Sequence, residues 1–305
     1  MHITDWFSSA WTDKLGQKST SIVSDGLIGH FDPENPNSYD GGGLTFHNLI
    51  GGGLHMELMN GIAFGWYPPA QQIPEGLPCY FKSDGTDDYI GPAGLDYYSE
   101  SSSFFVDGSA DFTISMWISP WSAYDSFGGS NTFFSSLGSM TGPHGIGIGA
   151  KYGHHAVAWG RPVFGGMWDS DFRVSGPLLI APSSSNDLTH DDWQYIAVTK
   201  KTNGPYGEGN SKLTFYLNGI ETLMGGTSYG EFGDAMPSSR IVGNQYLYVG
   251  GCYNTLMNMV QSSQNLFGII LVYNRALKRK ELRQNFLATR TTHRYFTPGR
   301  RYRYY

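Results

Sequence analysis

The stretch Asn265–Phe286, NLFGIILVYNRALKRKELRQNF, changes its periodicity part-way along. The run Leu266–Tyr273 is apolar and has the length of a strand. The charged segment after it carries Leu277, Leu282 and Phe286 at spacings that suit one face of a helix. A short Asn-Arg turn separates the two. The stretch therefore predicts a strand that leads directly into an amphipathic helix.

Three further segments read as strands of a sheet. Phe112–Ile118 alternates with a period of two, which places one of its faces in a core. Leu213–Leu217 alternates in the same way and ends at Asn218-Gly219, a pair typical of tight hairpin turns. Residues 193–199 are apolar on both faces, as in a central strand. Together these patterns predict an all-β protein.

The composition suits one loop-rich β domain. The chain has 305 residues, of which 40% are hydrophobic, 15% aromatic and 15% charged, and it has 41 glycines. A chain of this length can bury a sizeable core within a single domain. The net charge of −6 gives no reason to expect nucleic-acid binding by the body of the protein. No apolar run has the length of a membrane span and the first residues lack the features of a signal peptide, so we expect a soluble protein that is not exported by a cleaved signal.

Cys79 and Cys252 are the only cysteines. Two thiols in a chain of this size are not a disulfide framework, and both fall in segments that read as strands. We expect buried free thiols, with a single bridge between neighbouring strands as the alternative.

Five segments resemble, in the same order, those of the concanavalin A-like, laminin-G-type jelly roll found in bacteriophage virion structural proteins. They are residues 25–49, 81–90, 112–118, 193–219 and 265–286. The segment 81–90 resembles the second strand of that family, and 112–118 resembles its central strand with a tryptophan. The resemblance implies an all-β, concanavalin A-like (laminin-G-like) jelly-roll sandwich with a short N-terminal helical arm and a C-terminal helix plus tail. That fold serves mostly as a binding scaffold.

The chain divides into three parts, of which residues 21–290 are the predicted laminin-G-like jelly-roll domain. Residues 291–305 are a basic-aromatic tail, with four arginines, five aromatic residues and no carboxylate side chain. Such residues stack on bases or pair with an acidic protein surface. Because fifteen residues are a small footprint for nucleic acid, we expect the tail to lie on its own acidic domain or on a neighbouring subunit.

Residues 1–20 are the remaining part, a predicted amphipathic arm. Its apolar side chains recur at helical spacing and include Ile3, Trp6, Phe7 and Trp11. One interpretation is a helix folded back on its own sandwich, since an isolated helix of about 12–15 residues is marginal in water. The other, which we take as the prediction, is an assembly anchor that packs on another protein or on symmetry mates.

Carboxylates do not occur in the arrangement of a glycosidase. Glycoside hydrolysis needs two carboxylates across a cleft, and the laminarinase-like relatives of this fold carry Glu-x-Asp-x-Glu on one strand. That spacing is absent from the sequence, and the nearest pair, Glu231 and Asp234, falls in a glycine-rich loop. His154 and His155 are adjacent, so on a strand they point to opposite faces and cannot both bind one metal ion. We expect no enzymatic activity.

Calcium is the one cofactor that the sequence predicts. Asp84, Asp87 and Asp88 place three carboxylates within five residues, and hard oxygen donors suit this ion. Laminin-G-like modules often bind calcium at one edge of the sandwich. The same residues also make a good turn into a strand, which remains the alternative.

Aromatic residues in predicted loops are the second candidate for binding. Sugar rings stack on such side chains, while a few polar groups fix the hydroxyls. Aromatic residues in a β-sandwich also serve the core or a subunit interface. We predict a carbohydrate or receptor site in loops 121–145, 159–171 and 225–240, at one end of the sandwich. Its residues are Trp121, Tyr124, Trp159, Trp168 and Tyr229.

The predicted function is that of a non-enzymatic virion structural and adhesion protein. The resemblance implies display on a phage tail fibre, spike or capsid surface, at the exterior of the virion, after synthesis in the host cytoplasm without a signal peptide. The predicted partners are other virion proteins, further copies in a homo-oligomer for which a trimer is favoured, and a host surface glycan or protein, with no membrane and no nucleic acid. The alternatives are a secreted or cell-surface lectin-like carbohydrate-binding module of a cellular organism and a glycan-cleaving enzyme of the same fold.

Overall fold

The computed structural model describes most of the predicted strands. The described residues are 21–51, 55–65, 79–84, 86–92, 105–107, 110–120, 130–138, 145–151, 155–161, 171–177, 193–202, 210–221, 235–237, 244–254, 259–262 and 265–292. No helix within these ranges is long and apolar enough to cross a membrane.

The described strands form two large antiparallel sheets and a two-stranded ribbon. Sheet 1 consists of β1 (Leu27–Phe31), β4 (Ala63–Gly65), β5 (Tyr80–Lys82), β8 (Phe112–Pro120), β13 (Gln194–Thr202), β14 (Asn210–Leu217), β15 (Ile220–Glu221), β16 (Ala235–Pro237) and β20 (Asn265–Tyr273). Sheet 2 consists of β2 (Thr45–Phe46), β3 (Met56–Met59), β6 (Tyr89–Pro92), β7 (Phe105–Asp107), β9 (Ser130–Gly138), β10 (Gly145–Lys151), β11 (His155–Arg161), β12 (Asp171–Pro177) and β17 (Asn244–Val249). The ribbon pairs β18 (Gly251–Asn254) with β19 (Met259–Ser262).

The hydrophobic core lies between the two sheets. Strand β8 turns every second side chain toward sheet 2, so that Phe112, Ile114, Met116 and Ile118 are all buried there. The same cluster includes residues of sheet 2, namely Phe46, Leu58, Ile90 and Val249. The predicted alternation of this strand is confirmed, and the two sheets form an all-β sandwich.

The outer face of the central strands of sheet 1, β8, β13 and β20, is also buried, in a cluster that includes helix α1 (Arg279–Thr292). Trp117 and Tyr195 pack there against Phe286, with 5.6 Å between the ring centroids of Trp117 and Phe286. Leu282 belongs to the same cluster, as the helical spacing predicted, whereas Leu277 belongs to the cluster but precedes the first residue of the helix. All nine residues of β20 are buried because this strand has the core on one side and the helix on the other.

A buried polar network fixes the position of helix α1 on the sheet. Asn285 accepts a hydrogen bond from the N–H of Val23 at 2.8 Å and donates to the Tyr273 hydroxyl at 2.9 Å. Tyr273 in turn donates to the carbonyl oxygen of Val23 at 3.0 Å, and burial raises the pKa of its hydroxyl. Trp117 Nε1 donates to Thr289 Oγ1 at 2.8 Å. A satisfied network of this kind specifies one helix register, because a shifted helix would leave buried polar atoms unpaired.

The turn between β14 and β15 is the hairpin that the sequence predicted. Asn218 and Gly219 have φ values of 52° and 75°, as a type I′ turn requires at both central positions. Gly219 lies against the helix, where an added Cβ would come within 3.1 Å of Arg283 Cα.

The strand directions define two ends of the sandwich. The Ser83 N–H donates to the carbonyl oxygen of Asn265 at the start of β20, and Asn265 pairs with Pro120 at the end of β8. We call this the acidic end, after the carboxylates that follow Ser83. At the opposite end Tyr273 pairs with Thr113. Strand β8 has nine residues, which separate the two ends by roughly 26 Å at about 3.3 Å per residue.

The segment 81–90, which resembles one strand of the family, contains parts of two strands in different sheets, β5 and β6, joined by a turn. Cys79 is buried, whereas the side chain of Cys252 lies outside what the structure describes, so the state of the two thiols stays a prediction. The arm 1–20 and residues 293–305 of the tail also lie outside the described residues, so the predicted division into three parts stays a prediction.

Candidate functional site

The acidic turn, residues 83–88, joins β5 of sheet 1 to β6 of sheet 2. The Thr86 N–H donates to Asp84 Oδ1 at 2.7 Å, and the Asp84 N–H donates to Asp88 Oδ2 at 2.9 Å. Aspartate side chains that accept from backbone N–H groups close by in the chain are typical of turns. These carboxylates therefore do form a turn into a strand, as the alternative interpretation of the segment proposed.

The three carboxylates of this turn crowd one another. Asp84, Asp87 and Asp88 can each place one carboxylate oxygen within 4.8 Å of the other two. Asp84 and Asp87 are exposed, whereas Asp88 is buried. Burial first, and then the charges of Asp84 and Asp87, raise the pKa of Asp88 to about 6 against the opposing effect of the Asp84 N–H. The turn thus concentrates negative charge around a carboxyl group that resists ionisation.

These residues fit a calcium ion by their chemistry. Calcium takes about six to eight oxygen ligands from carboxylates, backbone carbonyls and water, and three carboxylates on one turn would supply part of that set. A cation between them would also offset the mutual repulsion of the carboxylates, which adds to the larger effect of burial in raising the pKa of Asp88. The neighbouring turn adds rigidity, because Asn60 Nδ2 donates to the carbonyl oxygen of Asp87 at 2.8 Å. The predicted ligand set is therefore gathered in one place.

Three buried polar residues near the acidic end were not predicted as site residues. Ser83 Oγ accepts from the Asn265 N–H at 3.2 Å. Gln194 starts strand β13 beside Ile118, and its side chain has the inward direction of Ile196. The Gln194 amide is buried, and neither its oxygen nor its nitrogen has a hydrogen-bond partner among the described residues. An unpaired buried amide costs about 1–3 kcal/mol, so this group favours a polar ligand or water. The sequence could have indicated this residue, because a glutamine stands there at an inward position of an otherwise apolar strand.

The residues predicted to bind carbohydrate lie almost entirely outside the described part of the chain. This holds for Trp121, Tyr124, Trp168 and Tyr229, and for the arm residues Ile3, Trp6, Phe7 and Trp11. Trp159 lies on β11, where its backbone pairs with Gly147 and Phe172, and its side chain is not described. These assignments stay predictions.

The described strands do establish the end of the sandwich at which the predicted loops begin. Strand β8 ends at Pro120, directly before Trp121, at the acidic end. Strand β11 ends at Arg161 and β12 begins at Asp171 at the opposite end, because β9, β10, β11 and β12 alternate in direction along sheet 2. The segments that carry Trp121 and Trp168 therefore start from opposite ends, whereas the sequence suggested a single end.

Comparison with known proteins gave a likeness of fold. No protein-family model and no curated protein matches the chain. A solved structure of Trypanosoma rangeli sialidase in complex with 2,3-difluorosialic acid aligns over 88% of this chain and 34% of its own, with a TM-score of 0.51 and 13% identity. A mutant of that sialidase that displays trans-sialidase activity aligns over 91% of this chain and 35% of its own, with a TM-score of 0.50 and 15% identity. The chain thus spans about a third of the length of these structures, and at such identities the likeness shows the β-sandwich fold alone.

Proposed function

We propose that the protein is a non-catalytic binding module of the concanavalin A-like, laminin-G-type jelly-roll class that serves a bacteriophage virion as a structural and adhesion protein. The β-sandwich supports the class, and the ordered resemblance of five segments supports the phage setting. In this proposal the ligand is a host-surface glycan, and the partners are other virion proteins and further copies of the chain. The protein is displayed on the exterior of the virion.

The observation that carries the proposal is that both faces of the described central strands of sheet 1 are packed. One face lies on the core, and the other lies in a cluster that includes helix α1. A glycosidase needs an open cleft in which two carboxylates flank the sugar, and these described strands have no open face for such a cleft. Binding at an end of the sandwich, where connections between strands meet, is consistent with this packing.

The acidic end has the chemistry that a glycan site needs. Trp121 and Tyr124 follow the last residue of β8 in sequence and would supply aromatic surface for a sugar ring. The buried Gln194 amide near this end offers a donor and an acceptor. The acidic turn would hold calcium, which in turn coordinates or orients hydroxyl groups. We assign glycan binding to this end rather than to the segment of Trp168.

A glycan array tests this assignment with matched variants. Trp121→Ala should lose most of the signal of the wild-type protein, because one stacked ring dominates such a contact. Trp168→Ala should keep the signal, because its segment starts from the opposite end of the sandwich. Equal effects of the two substitutions, or none, would contradict the assignment.

Catalysis is tested separately on a broad panel of polysaccharides. We expect no release of reducing sugar by the wild-type protein, since the sequence lacks the Glu-x-Asp-x-Glu spacing of the laminarinase-like relatives of this fold. Release that is abolished by one carboxylate substitution would show an enzyme of the same fold instead.

Immunogold labelling of purified phage particles tests whether the protein belongs to the virion. Label confined to a cell surface would favour the lectin-like module of a cellular organism.

A further inference from the structure

The segment 21–25, which we call the strap, lies against helix α1 and belongs to no strand or helix within the described residues. Four side chains from the last strand, the helix and the turn between them bind its main chain, and we call these four the strap groove. They join Gln284 to the Ser21 carbonyl oxygen at 3.0 Å, Asn285 to the Val23 N–H at 2.8 Å, Tyr273 to the Val23 carbonyl oxygen at 3.0 Å and Arg275 to the Asp25 carbonyl oxygen at 3.0 Å. Each of them is at least 250 residues away in sequence from the strap residue that it binds.

The strap is held in the way that a peptide ligand is held. The strap groove binds its main chain, and Val23 is its one buried side chain, in the cluster that includes helix α1. Ile22 packs at the margin of that cluster, whereas Ser21, Ser24 and Asp25 are exposed. A bound main chain with an apolar anchor is a recurring mode of peptide recognition. Because the described ladders of the two sheets do not include the strap, it can leave its groove without breaking a sheet.

A single turn decides to which molecule the strap returns. The Leu27 N–H donates to the Ser24 carbonyl oxygen at 3.2 Å, and Leu27 is the first residue of β1. Gly26 lies inside this turn with φ at 74°, a conformation that favours glycine. When the turn opens, the strap extends away from its own helix while β1 and the strap groove stay in place. A short turn of this kind is a hinge for the exchange of a terminal segment between copies.

We propose that the strap groove binds the strap of a second copy of this chain, so that neighbouring copies exchange their N-terminal segments. The exchanged copies regain every contact of the strap, and only the turn at Gly26 changes. Exchange of an identical element is therefore a low-cost route to association. The proposal rests on the assembly part of the proposed function, because it requires copies of the chain to associate, and it is independent of glycan binding.

Two observations favour a second copy as the occupant of the groove. Main-chain contacts alone accept many sequences, but Asp25 also forms an ion pair with Arg275 at 3.0 Å and Val23 fills the apolar cluster. The groove therefore matches the strap of this chain. The predicted arm 1–20 directly precedes the strap, so exchange carries its apolar stripe onto the neighbouring copy. Burial of that stripe between copies would remove apolar surface from water.

Cross-linking between two variants of the full chain tests the exchange. Ser21→Cys and Gln284→Cys are coexpressed on separate copies, purified together and treated with a short bismaleimide. Exchange places the two new thiols side by side across copies, because Gln284 binds the Ser21 carbonyl oxygen. We therefore expect a cross-linked dimer that neither variant gives alone, since each variant alone controls for the native Cys79 and Cys252. Both substituted positions are at least partly exposed, so the variants should fold.

Gly26→Ala should shift the equilibrium toward exchange. Alanine is strained at this φ, and its Cβ would meet Cγ and Cδ of Arg275 at 2.9 Å, so the closed turn is destabilised and the open one is not. Sedimentation velocity should show association about tenfold stronger than that of the wild-type protein. Gly51→Ala is the matched control, because it brings a similar strain at φ of 73° outside the hinge, and it should associate like the wild type.

The possible failures are distinguishable. The chain that carries both Ser21→Cys and Gln284→Cys should form links between copies. Links only within each chain, in copies that still associate, would overturn the exchange and leave the homo-oligomer of the proposed function intact. A wild-type protein that is monomeric at every concentration would overturn both. Association of Gly26→Ala no stronger than that of Gly51→Ala would also contradict the exchange.

Discussion

At the scale of the residue, Asp84, Asp87 and Asp88 have two uses that differ in what they require. The turn needs an oxygen atom that accepts a backbone N–H, which asparagine also offers. A calcium ion needs the negative charge as well. Substitution by asparagine or by alanine therefore separates the two uses.

Asp84→Asn and Asp84→Ala are the first matched pair. Asparagine can keep the hydrogen bond to the Thr86 N–H, so we expect this variant to retain wild-type stability in EDTA but to lose the stabilisation by calcium. Alanine should lose both this hydrogen bond and the stabilisation by calcium, and the lost hydrogen bond should cost about 1 kcal/mol of stability in EDTA. Melting temperatures with calcium and with EDTA check this, because a ligand that binds only the native state raises stability. Identical melting temperatures of the wild-type protein in both buffers would show that these aspartates serve the turn and do not bind calcium.

Asp88 gives stability a pH dependence of defined sign. Its pKa of about 6 in the folded protein lies above the value of about 3.9 for an unfolded aspartate. Between these values the folded chain keeps a proton that the unfolded chain has released. The contribution of this group to stability is therefore fully present below about pH 4 and is lost as pH rises through about 6.

Asp88→Asn should remove that dependence. In EDTA, the free energy of unfolding in urea should fall less for the variant than for the wild-type protein between about pH 4.5 and pH 7. With calcium, the free energy of unfolding of the wild-type protein should instead rise over this pH range, because the ion binds the ionised carboxylates and protons compete with it. Parallel pH profiles of the two proteins in EDTA would show that Asp88 titrates normally.

At the scale of the element, the β14–β15 hairpin and helix α1 depend on each other. The hairpin forms from its own sequence, yet its glycine lies where the helix passes. A local turn signal and a tertiary contact therefore coincide at Gly219. Gly51 has nearly the same φ, 73°, but has no atom within 4 Å of an added Cβ.

Gly219→Ala and Gly51→Ala separate backbone strain from helix contact. Both substitutions place alanine in the left-handed region, at a cost of roughly 1–2 kcal/mol. Gly219→Ala should cost about 1 kcal/mol more, because its Cβ would meet Arg283 Cα at 3.1 Å and Phe286 Cβ at 3.3 Å. Chemical denaturation measures the difference. Equal losses of stability in the two variants would mean that helix α1 moves away from the added Cβ at no cost in free energy.

At the scale of the whole molecule, the segment 21–25 at the start of the domain contacts residues near its end, far away in sequence. Val23 bonds to Asn285 and Tyr273, and Asp25 forms an ion pair with Arg275 at 3.0 Å. The arm that precedes this segment therefore starts from the helix-covered side of sheet 1. This is the side that also carries helix α1.

Two truncations test the arm as an assembly anchor. Removal of residues 1–20 should leave melting almost unchanged, because the contacts of Val23 and Asp25 remain, and should prevent incorporation into the larger particle. Removal of residues 1–25 should also lower the melting temperature, since it leaves Asn285 and Tyr273 without their buried partner. Normal assembly by the shorter truncation would indicate a helix that merely covers its own domain.

The sequence by itself determined the elements whose signals are local. The alternation in β8, the Asn218-Gly219 turn and the change of period after Tyr273 depend on neighbours within a few residues, and all three are confirmed. The predicted acidic cluster is likewise gathered in one turn, because its members are close in the chain.

Only the tertiary structure decided what depends on distant contacts. It separated residues 81–90 into strands of two sheets, and it buried the outer face of the central strands of sheet 1 in a cluster that includes helix α1. It also brought Gln194 to the inner side of the acidic end and placed the strand ends before Trp121 and Trp168 at opposite ends. Periodicity reports which side chains share a face, but strand order and direction decide which faces and ends meet.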